Sequence, residues 1–280
     1  MDPEPQPRHI DGRDVSELLG TLGDLQIEDL PGFMEQFSNL MQEYRAGIRE
    51  IRTKFEILDE DTQVRLDRNP IHAITTRLKS PASLLEKLQR KGYPVTLESI
   101  RANLFDVAGV RVVCNYLSDV EDVAQALLRQ DDVRLIERKD YIANPKPSGY
   151  RSLHLVVSVP VFLSDRRREV PVEVQLRTIA EDFWASLEHR LRYKNDEVLQ
   201  ARGAEVDDIR ARLVESAHLI AAIDQAMERI RTDIDDLADE QERQRARLSA
   251  IEQAQAQATL AARAAKARTA AQECREGLRP

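Results

Sequence analysis

A chain of 280 residues, 42% hydrophobic and 32% charged, can bury a sizeable core and fits one large domain with accessory helices or two modest domains. Its net charge of −8 argues against a general nucleic-acid binder, while leaving room for a local basic pocket. There is no run of about 18 uncharged apolar residues, no apolar stretch of a signal peptide in the Pro-rich start, and no CxxC at Cys114 or Cys274, so a cytoplasmic protein without membrane contact is expected.

Residues 1–14 read as a disordered leader and 15–69 as an N-terminal helical region. There Phe33, Phe37, Leu40, Met41, Tyr44, Ile48, Ile51 and Phe55 recur at three- and four-residue steps, which predicts a helix from Leu30 to about Leu66. Asn69-Pro70 closes it, because a residue before proline disfavours the helical region. From 70 to 195 short apolar runs interleave with helical ones. Strands are predicted at Ile71–Thr76, Val107–Tyr116, Val133–Ile142, Leu153–Val161 and Val170–Leu176, and helices at Pro81–Lys91, Asp119–Arg129 and Ile179–Tyr193. Such interleaving predicts an α/β (α+β) domain on a mixed sheet, flanked by helices at both ends. Residues 196–240 read as C-terminal amphipathic helices. Their stripe, from Ile209 through Leu213, Ala217, Ile220, Ile223, Met227, Ile230 and Ile234 to Leu237, needs cover from the sheet domain, the N-terminal helix or another subunit. From 241 to 280 an Ala/Gln/Arg-rich tract favours helix but offers little to bury, so fraying or disorder is expected at its end.

Four segments could carry chemistry. In Arg77-Leu-Lys79-Ser-Pro-Ala-Ser83-Leu-Leu-Glu-Lys87 a strand end meets a helix start, and Ser83 and Lys87 share one helix face. Helix N-termini favour anions. Between Arg77 and Arg101 six basic residues face two acidic ones, an inversion of the overall charge that suits a polyphosphate site. A solvated amphipathic helix would carry similar lysines. In Asp106-Val-Ala-Gly109-Val-Arg111 a carboxylate stands at the entry of an apolar strand, Gly109 permits close approach of a backbone or ligand, and Arg111 needs solvent or a partner. Alone, this pattern is equally compatible with a turn cap and an edge arginine.

In Val170–Thr178, Glu173, Gln175 and Arg177 alternate with Val172, Val174 and Leu176, so one strand face is polar. A second carboxylate beside Asp106 would make an oxygen site suited to Mg²⁺; an edge strand with its polar residues outward is the plainer alternative. The fourth segment, Lys139 to His154, is a turn-rich loop containing Tyr141, Asn144, Lys146, Gly149 and Tyr150. Its lysines could hold phosphates and a tyrosine ring could face a base. A flexible loop with a structural tyrosine and a packing histidine would look alike. Together the segments describe metal-assisted phosphoryl or nucleotidyl transfer, and the absence of GxxxxGK[ST] and GxGxxG points away from P-loop and dinucleotide-binding folds.

In order and spacing, RxKxxxSxxxK at Arg77–Lys87, DxxGxR at Asp106–Arg111, KDYIxxPKxSGYRSxH at Lys139–His154 and ExQxRT at Glu173–Thr178 resemble the synthetase domain of the RelA/SpoT family. Phe183–Lys194 is similar to the segment that follows in small alarmone synthetases of the RelQ and RelP type. The resemblance covers about residues 70 to 195. It implies a nucleotidyltransferase-like sheet and transfer of the β,γ-diphosphate of ATP to the 3′-hydroxyl of GDP or GTP, making ppGpp or pppGpp.

By the same resemblance, Arg77 and Arg111 would flank adenine, and Lys79, Ser83 and Lys87 would hold the ATP phosphates. Asp106 and Glu173 would bind Mg²⁺, with Lys87 in the catalytic set and Glu173 also deprotonating the attacking hydroxyl. Tyr150 would stack on guanine, with Lys139, Asn144, Lys146, His154 and Gln175 around the acceptor. No His-Asp dyad occurs and there is no room for a long regulatory C-terminal region, so a synthetase without hydrolase is expected. A homotetramer held by flanking helices is implied, and an alarmone or RNA is a candidate regulator. Two alternatives stay open: a toxin-type relative that modifies tRNA 3′ ends or makes adenosine alarmones, and a non-catalytic nucleotide sensor.

Overall fold

Apolar residues at helical spacing make Leu30–Leu66 one continuous helix, α1, whose Phe37, Leu40, Met41, Tyr44, Ile48, Ile51 and Phe55 are all buried. The computed structural model describes residues 30–194 and 203–276; the expected leader at 1–14 and residues 15–29 of the expected helical region lie outside them. After α1 come β1 (Ile71–Leu78), α2 (Pro81–Lys91), α3 (Leu97–Asn103), β2 (Ala108–Cys114), α4 (Leu117–Leu128) and β3 (Arg134–Asp140). Then follow β4 (Leu153–Phe162), β5 (Arg167–Thr178), α5 (Ile179–Lys194) and α6 (Ala204–Glu276). All five expected strands and all the expected helices are present, so the mixed-sheet expectation holds. Helix α3 was not expected. Its seven residues are too few to show a period, and its one signal is Thr96, which accepts a hydrogen bond from the Ser99 N–H at the N-cap.

The strands form one sheet in the order β1-β2-β5-β4-β3, with β2 and β5 parallel and every other pair antiparallel. Register sorts the side chains. Val110, Val112, Val172, Val174, Leu176, Leu155 and Val157 join the buried core with α1. Each such buried aliphatic contributes about 1.5–3 kcal/mol. Gly47 lets α1 approach this face closely, since a Cβ there would lie 2.7 Å from Val170 Cγ1. Cys114 ends β2 in the core, where burial pushes its thiol up to about 12 and keeps it inert.

The opposite face is polar. One rung pairs Thr75 with Arg111, Gln175, His154 and Lys139, and the next pairs Arg77 with Gly109 and Glu173. Helix α5 leaves β5 directly through a capping box, with the Thr178 N–H bonded to Glu181 Oε2 and the Glu181 N–H to Thr178 Oγ1.

The chain divides into two units, one ending at Gln225 and the other beginning at Ala226, and α6 contributes to both. In the first, Trp184 donates its indole N–H to the Leu213 carbonyl, and Ala217 packs on Trp184 and Ala185 beside Tyr150 and Ile220. The expected single stripe is therefore divided. Leu213, Ala217 and Ile220 are taken up behind α5, whereas Ile223, Met227, Ile230, Ile234 and Leu237 remain 47–63% exposed. The apolar face of α1 is spent on the sheet. Helix α6 continues past Gln241 to Glu276. Among the described residues no helix is long and apolar enough to cross a membrane.

Candidate active site on the polar sheet face

Alternation along β5 and its register with β2 put Glu173, Gln175 and Arg177 beside Gly109 and Arg111, at the floor of a cavity of about 730 Å³. Thr75, Arg77 and Lys79 close one side. Asp106 and Tyr150 line it as well, and α5 adds Ser186, Glu188, His189 and Arg190. A Cβ at Gly109 would meet only ordinary contacts, at 3.6 Å from the Arg77 carbonyl oxygen, so internal packing does not demand glycine here. Its effect is a clear floor between Arg77 and Glu173.

Asp106 sits where the chain enters β2, and the N-terminal half of the site is built around it. Lys79 Nζ donates to Asp106 Oδ2 at 2.8 Å, and Lys87 Nζ, from the second turn of α2, lies 2.6 Å from the same oxygen. Burial works to raise the Asp106 carboxyl, but the two ammonium groups outweigh it and hold the group below its ordinary range. Oδ1 is buried and carries no hydrogen bond. Ser83 lies outside the cavity lining, its hydroxyl accepting from Ser80 Oγ and its N–H bonded to Ser80 as part of the helix cap.

Glu173 accepts from Gln175 Nε2 at 2.9 Å, and its Oε1 lies 3.5 Å from His154 Nδ1. Burial pushes its carboxyl up; His154 and Gln175 pull it down and prevail, against a rise from Asp106 that marks the two carboxylates as neighbours. His154 Nε2 meets the Tyr150 hydroxyl at 2.9 Å. Tyr141, Tyr150 and His154 form an edge-to-face cluster, and Lys146 Nζ stands over the rings of Tyr141 and Tyr150 at 4.4 and 4.9 Å. Lys139 is half-exposed and paired with Glu137 at 2.7 Å, and Asn144 is exposed in the following turn. Gly149, at φ 88°, turns the chain into Tyr150, where a Cβ would lie 2.5 Å from the Ala217 Cβ.

Of the thirteen expected site residues, Arg77, Lys79, Asp106, Arg111, Tyr150, Glu173 and Gln175 line the cavity. Lys87 joins through Asp106, and His154 through Glu173 and Tyr150. Ser83, Lys139, Asn144 and Lys146 lie outside the lining. The contributions of α5 had no residue-level expectation, although Ser186, His189 and Arg190 stand three and four apart on one face. Asp182 was missed as well. It is the partner that Arg111 needed, at 3.5 Å from Nη1.

The donor set fits a small divalent cation. Among the described residues no cluster of three or more His, Cys, Asp and Glu is arranged to hold a metal alone. One or two carboxylates, with substrate phosphates supplying the rest, are what Mg²⁺ takes, and Asp106 offers an unengaged buried oxygen next to Glu173.

A family model described as the region found in RelA / SpoT proteins matches residues 76–198, the span that carries this site. GTP pyrophosphokinase YwaC of Bacillus subtilis is 38% identical over 210 residues, 75% of this chain and 97% of that protein. The chain belongs to the RelA/SpoT family. Its solved relatives place it among the small alarmone synthetases. The crystal structure of small alarmone synthetase 1 from Bacillus subtilis bound to its product pppGpp matches with a TM-score of 0.63 at 34% identity, over 71% of this chain and 98% of that one. The same enzyme bound to AMPCPP matches with a TM-score of 0.59 at 28% identity, over 71% and 98%. The expected fold, a mixed sheet with flanking helices, is the fold of these enzymes.

Proposed function

We propose that this chain is a GTP pyrophosphokinase that moves the β,γ-diphosphate of ATP onto the 3′-hydroxyl of GDP or GTP. The observation that carries this is one cavity in which Arg77, Lys79, Asp106 and Arg111 face Tyr150, Glu173 and Gln175. Relatives named for binding pppGpp and the adenine nucleotide AMPCPP support both halves of the reaction.

Arg77 and Arg111 flank the adenine, and Lys79 and Lys87 reach the phosphates, with Ser83 at the helix start. The acceptor base stacks on Tyr150. A base on the face that Lys146 covers takes the place of its ammonium, which is then free to meet the acceptor's 5′-phosphates together with Lys139. His154 and Gln175 orient Glu173, which the surrounding hydrogen bonds keep ionised. The 3′-oxygen attacks the β-phosphorus, the bond from that phosphorus to the α-phosphate oxygen breaks, AMP leaves, and the hydroxyl proton passes to Glu173. Asp106 and Glu173 would hold Mg²⁺, which when bound stabilises the charge on the transferred diphosphate. The chain acts in the cytoplasm as a synthetase.

The same reading includes a homotetramer. Apart from the α6 stripe, Ile179, Phe183, Leu187 and Leu191 form an exposed ladder at four-residue spacing along α5. Two self-complementary faces are what a closed tetramer needs. Light scattering is expected to give a mass near four chains, and Ile223→Asp to lower it.

Thin-layer separation of labelled ATP with GDP, GTP, AMP or tRNA tests the activity. Label transferred to GDP or GTP is the expected result. Label on tRNA or AMP alone would establish the toxin-type reaction instead, and no transfer with retained nucleotide binding would establish a sensor.

A further inference from the structure

Arg177 lies on β5 two residues beyond Gln175, lines the cavity and is 2% exposed. A buried guanidinium requires a counter-charge, and Asp182 supplies it with Oδ1 at 3.2 Å from Arg177 Nε. The same oxygen lies 3.5 Å from Arg111 Nη1. One carboxylate thus stands between two guanidinium groups that repel each other. The Asp182 and Arg111 side chains are 29% and 41% exposed, so neither is fixed by packing as Arg177 is. Asp182 belongs to the first turn of α5, where the helix dipole favours its negative charge. The carboxylate therefore sits on a fixed support, with the helix end behind it and the buried Arg177 beside it. Arg111 is the member that can swing, since its side chain is far more exposed than that of Arg177.

We propose that Asp182 is a positioning residue for the nucleotide donor. Anchored by Arg177, it draws Arg111 against the cavity wall and sets the affinity for ATP without touching the reacting atoms. The inference rests on the reading of Arg111 as an adenine-side residue. Without the carboxylate, repulsion from Arg177 turns Arg111 outward and the donor site loses its order. The acceptor side keeps its own contacts, because Tyr150, His154 and Glu173 bond to one another rather than to Asp182.

A double-mutant cycle on the full chain tests this, with AMPCPP and magnesium in calorimetry and with ATP and GDP in kinetics. Asp182→Ala is expected to weaken AMPCPP about tenfold and raise the KM for ATP to match, with the KM for GDP within about twofold. Asp182→Asn keeps an acceptor but no charge, and is expected to fall between. Arg111→Ala is expected to weaken AMPCPP at least as much as Asp182→Ala, and adding Asp182→Ala to it is expected to cost less than about twofold more. Losses that multiply in the double variant overturn the proposal, as does an equal rise in the KM for GDP. An Asp182 that only caps α5 would lower the melting temperature and leave the cycle additive. If the wild-type chain binds AMPCPP, a failed cycle overturns this inference alone; if it does not bind, the functional reading falls with it.

Discussion

Along β5, Val170, Val172, Val174 and Leu176 point toward α1, while Glu173, Gln175 and Arg177 point into the cavity, so adjacent residues occupy opposite environments. On the α1 side the core is apolar, with buried Glu43 paired to Arg166 and Arg168, and Gly47 admits the helix closely. The cavity side carries charges that are only partly matched, including a carboxylate oxygen with no donor. The contrast separates two demands on one strand. One face holds the fold together, and the other keeps polar groups desolvated for a ligand to complete.

If the faces are separable in this way, changes on each should move different measurements. The largest effect is expected from Asp106→Ala and Glu173→Ala, each removing charge stabilisation worth about 3–4 kcal/mol at the transferred group. Turnover should fall by two to three orders of magnitude on the scale of about 1.4 kcal/mol per factor of ten, with the far-ultraviolet spectrum unchanged. Near-normal turnover in either variant would refute the metal assignment. Next is Leu176→Ala, whose side chain is fully buried on the other face. It should cost about 2–5 kcal/mol in denaturant unfolding, with KM values for ATP and GDP close to wild type below the melting range. A large KM change would show that the two faces are coupled.

Tyr150→Ala sharpens the comparison within the cavity itself. Base–aromatic stacking is worth about 1–3 kcal/mol, so the KM for GDP or GTP should rise several-fold or more while that for ATP moves much less. Equal effects would make Tyr150 structural.

The smallest effect concerns the seam behind the site, where Thr178 donates to Asp224 and the Glu181 carboxyl is buried close by. Burial pushes Glu181 up to about 7; the Thr178 hydrogen bond opposes the rise and Asp224 adds to it. Between the ordinary value of 4.5 and about 7 the folded chain binds a proton that the unfolded chain has released. Stability must therefore fall as pH rises through that window. Asp106 and Glu173 are shifted downward and lose their contribution only in more acid solution. Urea unfolding at pH 5 and pH 8 should show the decline, and Glu181→Gln, which stays neutral, should flatten it.

Much of this was legible from local pattern. Three- and four-residue steps from Phe37 to Phe55 gave α1 its buried face, and two-residue alternation around Glu173 placed Gln175 and Arg177 beside it before any fold was known. Both signals depend only on backbone geometry, and the spacing of Ser83 and Lys87 on α2 is local in the same sense. Helix α3 escaped because one turn and a half carries no period, and the stripe of α6 was misjudged as one surface. Its residues look alike in sequence, but Trp184 and Tyr150 claim Ala217 and Ile220 while Ile223 onward stays exposed.

Tertiary structure alone decided the strand order β1-β2-β5-β4-β3, in which β2 lies between β1 and β5 although two further strands separate β2 from β5 in the chain. That order brings Lys79 and Lys87 to Asp106, and Arg111 to Asp182 across 71 positions. Such pairings come from burying the aliphatic face of the whole sheet under α1. Once that face is buried, the register that satisfies it sets which charges meet on the other side.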